Sequence, residues 1–575
     1  MLLVGVFWVW IGVVSVGLGL GVARLLRALG GTLPQLLVES PELLSLTGLA
    51  GVAWLGAVLS FVWPVALPMQ LGLSALALGV LVAQRAALGQ LLRAHGRQWR
   101  AAGAGAGGLA AILVAVVLVH AIRPPSFIDT TLYHAQTIQW MHRFAVVPGL
   151  GNLHSRLAFN SHADLLTAFF SPASQLGSRP AFQQTANSYW FLLLTLYHVR
   201  RAAQHLRPGG RPWLAGYYLG SLLLLLLSTR FWISSPMPDM PVAVLGLLLL
   251  GVLLETPRLA PAGLAWLVLL VATAVTLKAS AVAMLLWPVA WALRANARAL
   301  ARRMGLLVGV GLVVALPWLG RNVVLSGYAV YPLAASVGTV VADWAIPAPR
   351  PAADMAEIRL FALRPANDWW HAAGQTIAQW LPFWWQQQEL ADQRLLLLLL
   401  ASLVLVAGSL VWQRRTHWWR RGEYQLYGLL LLNCSWWFGV APAIRFGYAY
   451  VIGVAVVGFV LLGQNWPVRW LRVGGWLLAI ISFAFGLKDL GSEMKKPGML
   501  TAHAIWPADY RPERTAVVKQ LGPYPLYVGV HDGHCGNSLL PCTDSLYAGL
   551  QLRGATLQQG FRTQVAAGPP LRPGR

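Results

Sequence analysis

Residues 124–171, PPSFIDTTLYHAQTIQWMHRFAVVPGLGNLHSRLAFNSHADLLTAFFS, form a polar, aromatic, His-rich stretch that interrupts a chain of otherwise almost continuous apolar helix. Helices that only fill a bilayer need no such insertion. Their backbone groups are satisfied internally and their side chains have only to be apolar. A long loop between spans usually carries function, which makes this stretch the expected seat of the chemistry.

Around it the 575 residues are 57% hydrophobic and only 11% charged, with a mean hydropathy of +0.59. That balance excludes a soluble globular chain and predicts an all-α polytopic membrane protein. Stretches of spanning length, roughly 17 to 25 residues, lie near residues 3–23, 45–63, 66–86, 104–122, 181–199, 213–229, 237–254, 260–277, 279–293, 304–320, 393–413, 424–440, 446–463 and 473–487. They predict about 14 transmembrane helices, some short or split. The first lacks the basic start and small-residue cleavage site of a signal peptide and is followed by Arg24 and Arg27, so it reads as a retained helix.

The formal charge is +24, which in a soluble protein would point to nucleic acid. Here the arginines sit between spans, and the positive-inside rule accounts for them without a nucleic-acid partner. Clusters at Arg24/Arg27, Arg85/Arg93/Arg97/Arg100, Arg200/Arg201/Arg207/Arg211, Arg294/Arg298/Arg302/Arg303, Arg414/Arg415/Arg420/Arg421 and Arg469/Arg472 each follow an odd-numbered span. The alternation places both termini and the loops near 123–180, 230–240, 321–392 and 441–445 outside.

Five units follow. Residues 1–100 hold N-terminal transmembrane helices and end in a basic linker whose Gly/Ala run suggests a hinge or a close helix contact. Residues 101–320 form the membrane core with the external loop 123–180. Residues 321–392, with Trp344, Trp369, Trp370, Trp380, Trp384 and Trp385, form an external amphipathic segment of one or two surface helices. Residues 393–489 return to the membrane, and 490–575 make a small extracytoplasmic α/β segment. In that segment Cys535 and Cys542 read as a disulfide, in preference to a zinc site with His531 and His534, because the spacing fits no zinc pattern well. Cys434 lies in an apolar span and reads as core.

Asp129 opens the loop ahead of TTLYHAQTIQWMHRF, where Leu132 and Ile138 mark an amphipathic helix expected to lie along the outer leaflet. It has two readings, an N-cap in competition with Thr130 and Thr131, or a catalytic carboxylate at the membrane edge. Tyr133 and His134 on the same helix, with Asn152, His154, Arg156 and Asn160 beyond it, supply a cation and hydroxyl-binding groups suited to an anionic, hydroxyl-rich ligand. The competing reading is that they only order a long loop. Asp239 sits in the proline-fixed turn SPMPDMP, Lys278 interrupts the apolar run VTLKASAV, and Arg230, Arg321 and Arg445 lie outward against the positive-inside pattern. For these arginines a phosphate ligand and a snorkelling helix end are equal readings.

IDTTLYHAQTIQW (128–140), VVPGLGNLHSRLAFNS (146–161), SPMPDMP (235–241), RNVVLSGYAVYP (321–332) and GHCGNSLLPCT (533–543) resemble a little-characterised bacterial group of multi-spanning membrane proteins. A membrane-edge Asp opening the first large outer loop, a second Asp in the next and outward cations also look like the family C-type (GT-C) glycosyltransferases. The resemblance implies an inverting transfer from a polyprenyl-phosphate-linked sugar, on the periplasmic face of a bacterial inner membrane. Asp129 would match the catalytic position and Asp239 the second outer acid, and a divalent cation such as Mg or Mn would be held by Asp129 and Asp239. Lys278, Arg321 or Arg156 would meet the departing lipid phosphate, with Arg445 among the substrate-binding residues. The implied partners are the lipid-linked donor and membrane lipids. An O-antigen ligase or polymerase using His154 and Arg156, a lipid-linked glycan transporter or flippase, and a structural scaffold are the alternatives.

Overall fold

The computed structural model describes residues 1–171, 183–336, 342–366, 368–412, 422–464, 466–496 and 498–564. Each apolar stretch falls on helical structure, from Leu2–Ala28 to Val468–Met494; stretch 279–293 is a 3-10 segment, Ala279–Leu285, running into the helix Leu286–Leu293. Eight helices are long and apolar enough to cross a membrane on their own, and a ninth span arises if a bent pair counts as one. The chain is a multi-pass helical membrane protein with a small C-terminal sheet.

The first two long helices, Leu2–Ala28 and Pro41–Leu59, touch through their backbones. A Cβ on Gly48 would stand 1.6 Å from the Ser15 carbonyl oxygen, and one on Gly19 would stand 2.0 Å from that of Leu44. Beside this contact the Ser15 and Ser45 hydroxyls are 2.6 Å apart, and Ser45 reaches the Tyr189 hydroxyl at 3.0 Å. Small residues and buried hydroxyls hold membrane helices together where no hydrophobic force separates helix from lipid.

The basic clusters within the described residues gather on one face. Arg200 pairs with Glu42 at 2.8 Å, Arg201 and Arg211 converge on Glu255, and Arg294 donates to the Pro257 carbonyl at 2.7 Å. Arg414, Arg415, Arg420 and Arg421 lie outside the described residues. On the opposite face the loops interlock. The Ala508 amide donates to Ile122, Gly536 to Thr131, Phe561 to Pro148, and Gly149 to Val324. The N-terminal ammonium reaches the His503 carbonyl at 2.7 Å.

Two expectations change. The basic linker is itself a helix, Arg85–Ala102, set at 83° to Leu67–Ala83. Gly103, at φ +87°, breaks the chain between it and Ala104–Ala121, and no atom stands within 4 Å of a Cβ built on Gly103, Gly105, Gly107 or Gly108, so that run makes no close helix contact. The loop helix, a π-helical turn Thr130–His134 continued by Ala135–Arg143, does not lie on the leaflet: Ala135 to Met141 are all buried.

The tail covers the polar face of this helix, while Ile138 and Met141 pack into the helical core. Strand Thr515–Leu521 pairs antiparallel with Tyr524–Gly529, which pairs in parallel with Cys542–Thr543, and a second ribbon joins Leu550–Leu552 to Phe561–Thr563. Cys535 and Cys542 are joined by a disulfide. Leu526, Tyr547, Leu550 and Phe561 pack with Trp140, Val147, Leu153 and Leu325 in one core, so tail, loop and the end of Ala297–Ser326 form a single layer. Segment 321–392 adds to this layer the helix Pro349–Leu363, whose Arg350 lies over the Tyr547 ring, while its second helix, Ile377–Gln387, packs through Trp380 and Trp384 on the helical core.

Candidate functional site

Ser235 ties the two acid-bearing loops together. Its hydroxyl accepts from the backbone amides of Ser126 and Phe127, both at 3.1 Å, so the turn before Asp239 is clamped to the segment before Asp129. Prolines on either side hold that turn rigid, and Asp239 becomes the first residue of its helix, Asp239–Glu255, where a carboxylate is favoured by the helix dipole.

Asp129 makes no capping hydrogen bond. Its carboxylate instead faces Arg445, whose Nη2 is 3.2 Å away, and the Tyr133 hydroxyl stands 3.5 Å off. Arg445 is held at the start of the helix Ile444–Gly463, with its guanidinium 4.6 Å from the centre of the Phe127 ring. Beside it Lys278 reaches buried Asp239 at 2.6 Å, its ammonium 4.0 Å above the Phe446 ring. Lys278 sits at the turn between the helix Pro261–Leu277 and the segment Ala279–Leu285, so it lies between two short apolar elements and not in the middle of one. Asp239, Lys278, Arg445, Phe446, Tyr448 and Tyr450 line one pocket. The Asp239–Lys278 pair and Arg445 thus share an aromatic pocket, and Asp129 meets it through Arg445.

Charge decides the protonation there. Burial pushes the Asp129 carboxyl up, but Arg445, with His134, Lys278 and Arg156 behind it, outweighs burial and holds it below the usual carboxylate range. Burial and the Asp129 charge keep the Tyr133 hydroxyl well above its usual range, so Tyr133 is a hydrogen-bond donor and not a base.

The other candidates divide. His134 Nδ1 donates at 2.8 Å to the Asp164 carboxylate, and both side chains are buried. Arg156 pairs with Glu357 at 2.6 Å and lies over the Phe159 ring. Asn152 is spent on structure: its amide donates to Gly149 and Trp344 carbonyls and its oxygen accepts from Thr563. Asn160, at φ +48°, donates to the Trp318 carbonyl and accepts from Arg321 Nε at 2.9 Å. His154 caps the turn Ser155–Phe159 through Nδ1, while Nε2 lies 3.8 Å from Asp544. Arg230 is paired with Asp489 at 2.8 Å, and Arg321 belongs to a separate cavity. His534 Nδ1 meets the Thr131 hydroxyl at 2.7 Å, a docking contact for the tail.

Three supporting acids escaped the sequence reading: Asp164, Glu357 and Asp544. Only Asp164 carried a signal, as the lone acid of the loop helix His162–Phe169 within an apolar run. Among the described residues no group of three or more His, Cys, Asp or Glu could hold a metal ion. A divalent cation between Asp129 and Asp239 would have to displace Arg445 and Lys278 from them. That donor set does not fit a metal.

Fold and site together define a multi-pass helical membrane protein with a charged cleft under a layer of loops. A family model described as a domain of unknown function (DUF8201) matches residues 1–452, and the chain belongs to that family. The match takes in Asp129, Asp239, Lys278 and Arg445 and ends before the tail. No curated protein and no solved structure matches the chain.

Proposed function

We propose that this protein is a membrane glycosyltransferase of family C type, with about fourteen membrane-crossing helices, that moves a sugar from a polyprenyl-phosphate donor to an acceptor on the outer face of a bacterial inner membrane. The observation that carries the reading is that Arg445, paired with Asp129, lines one pocket with the Asp239–Lys278 pair. Cations at a membrane edge suit a lipid phosphate, and a carboxylate beside them suits proton removal from an acceptor hydroxyl.

The ion pairs give the mechanism an order. With the site empty, Asp129 is ionised and a poor base, because Arg445 satisfies it. Donor phosphate draws Arg445 and Lys278 to itself, the carboxylate loses counter-charge, and its affinity for a proton rises. Asp129 then takes the acceptor proton as the acceptor oxygen attacks the anomeric carbon from the face opposite the phosphate. The bond to the phosphate oxygen breaks with inversion, and the leaving lipid phosphate keeps the electron pair under the two cations. Tyr133, protonated, holds the acceptor or the carboxylate in line.

The test is transfer from a radiolabelled lipid-linked donor by purified protein in liposomes. Asp129→Asn keeps size and shape, and its transfer is expected to fall by roughly 10²-fold or more at equal membrane levels. Full activity in that variant moves the base to His154, whose Nε2 carries no hydrogen bond among the described residues, and the reading to the ligase-like alternative. Movement of donor across the bilayer without transfer identifies a flippase.

A further inference from the structure

Arg321 is a buried cation with no anion. Its side chain is 2% exposed, Nε donates to Asn160 and Nη1 to the Ser60 hydroxyl, both neutral. All 19 aspartates and glutamates lie among the described residues, and none forms an ion pair with it. His162 is pushed down to about 3 by burial and then by Arg321, so it stays neutral. Buried charges are ordinarily paired, because an isolated one forfeits its hydration without return.

Next to the guanidinium is a cavity lined by Ser60, Thr137, Trp140, Phe144, Val146 and Arg321. The Trp140 indole N–H is buried there with no partner among the described residues. The rest of the lining is largely apolar. Phe61, Val62 and Trp63, directly after Ser60, are exposed, and Phe61 lies against Gly320, the residue before Arg321. One and two turns down the same helix face come exposed Leu316, Val313 and Leu312. Exposed apolar residues therefore adjoin, along the chain, both Ser60 and Arg321, the residues that bring the unpaired positive charge to the cavity wall.

We propose that this cavity holds the anionic oxygen group of a membrane amphiphile, a phosphate or carboxylate head on an apolar chain, with the head on Arg321 and the chain along Phe61 and Leu316. The site is distinct from the Asp129 cleft and does not rest on the glycosyl-transfer reading. A free small anion offers the same head chemistry but has no use for the exposed apolar residues.

Thermal unfolding of the purified chain in zwitterionic detergent tests this, with added phosphatidylglycerol, phosphatidylcholine or inorganic phosphate. Phosphatidylglycerol is expected to raise the wild-type midpoint by roughly 2 °C or more, phosphatidylcholine and phosphate to leave it unchanged, and Arg321→Met to abolish the shift. A wild type indifferent to phosphatidylglycerol, or a shift that persists in Arg321→Met, overturns the site; an equal response to inorganic phosphate overturns the amphiphile. Should Arg321→Met fail to accumulate, Leu316→Ser, at one of those exposed apolar residues, takes its place. Loss of at least half the shift in that variant supports the proposal, and an unchanged shift ends it.

Discussion

Asp239 is buried while Lys278 keeps about a fifth of its side chain open to the cleft, so the two halves of this ion pair are not equivalent. Removing the lysine strands a carboxylate without hydration; removing the aspartate leaves an ammonium that can turn toward water. Lys278→Met is therefore expected to cost roughly 3 kcal/mol and Asp239→Asn less, while Asp239→Leu/Lys278→Met recovers most of the loss. Unfolding midpoints of the set in one detergent measure the asymmetry, and a double variant as unstable as the sum of the singles contradicts it. The same scale shows where residue-type reasoning stops. Asn152, Asn160 and Arg156 have the groups a sugar phosphate needs, yet those groups also satisfy loop backbone and ion pairs, and sequence does not tell the two uses apart. Arg445 and Lys278 were readable because a cation against the positive-inside pattern, or within an apolar run, costs free energy that something must offset.

Among the elements, the contact between Leu2–Ala28 and Pro41–Leu59 is the one most sensitive to a single atom. Gly48 faces the Ser15 carbonyl at a distance no side chain can occupy, so Gly48→Leu has to drive the two helices apart. The expected outcome is a loss of monodisperse protein after solubilisation, with Gly72→Leu, where a Cβ would meet nothing within 4 Å, as the harmless control. Equal yields of the two variants would show that the helices separate at no cost. Helix positions were legible along the chain, because a run of apolar residues is a local property. Burial was not. The segment Ala135–Arg143 has the amphipathic pattern of a surface helix, but its polar face is covered by the tail, where Gln136 donates to the Gly536 carbonyl at 3.0 Å.

At the scale of the molecule, loops from five places in the chain meet in one layer, with the basic clusters opposite. Membrane-impermeant thiol labelling in intact spheroplasts reads this directly in a Cys434→Ser background. Arg143→Cys in the loop and Gln551→Cys in the tail, both exposed, are expected to label together, and Arg97→Cys, exposed on the basic face, only after lysis. Labelling of residue 97 in intact cells with protection of 143 and 551 would turn the molecule over, while labels that split 143 from 551 would break the layer.

Sequence by itself determined that this chain is helical and multi-pass, which stretches form the helices and which loops share a side, because hydropathy and arginine placement are set by the bilayer residue by residue. It also supplied Asp129, Asp239, Lys278 and Arg445 as separate candidates. Only the tertiary structure decided that Asp239, Lys278 and Arg445 share a pocket, that Asp129 answers Arg445 and not a helix end, that Arg321 stands alone, and that residues 498–564 cover the loop. Those are contacts between groups far apart in the chain, such as Gln136 with Gly536, 400 positions on. They depend on how helices pack laterally and how loops close over them, and no local pattern encodes that.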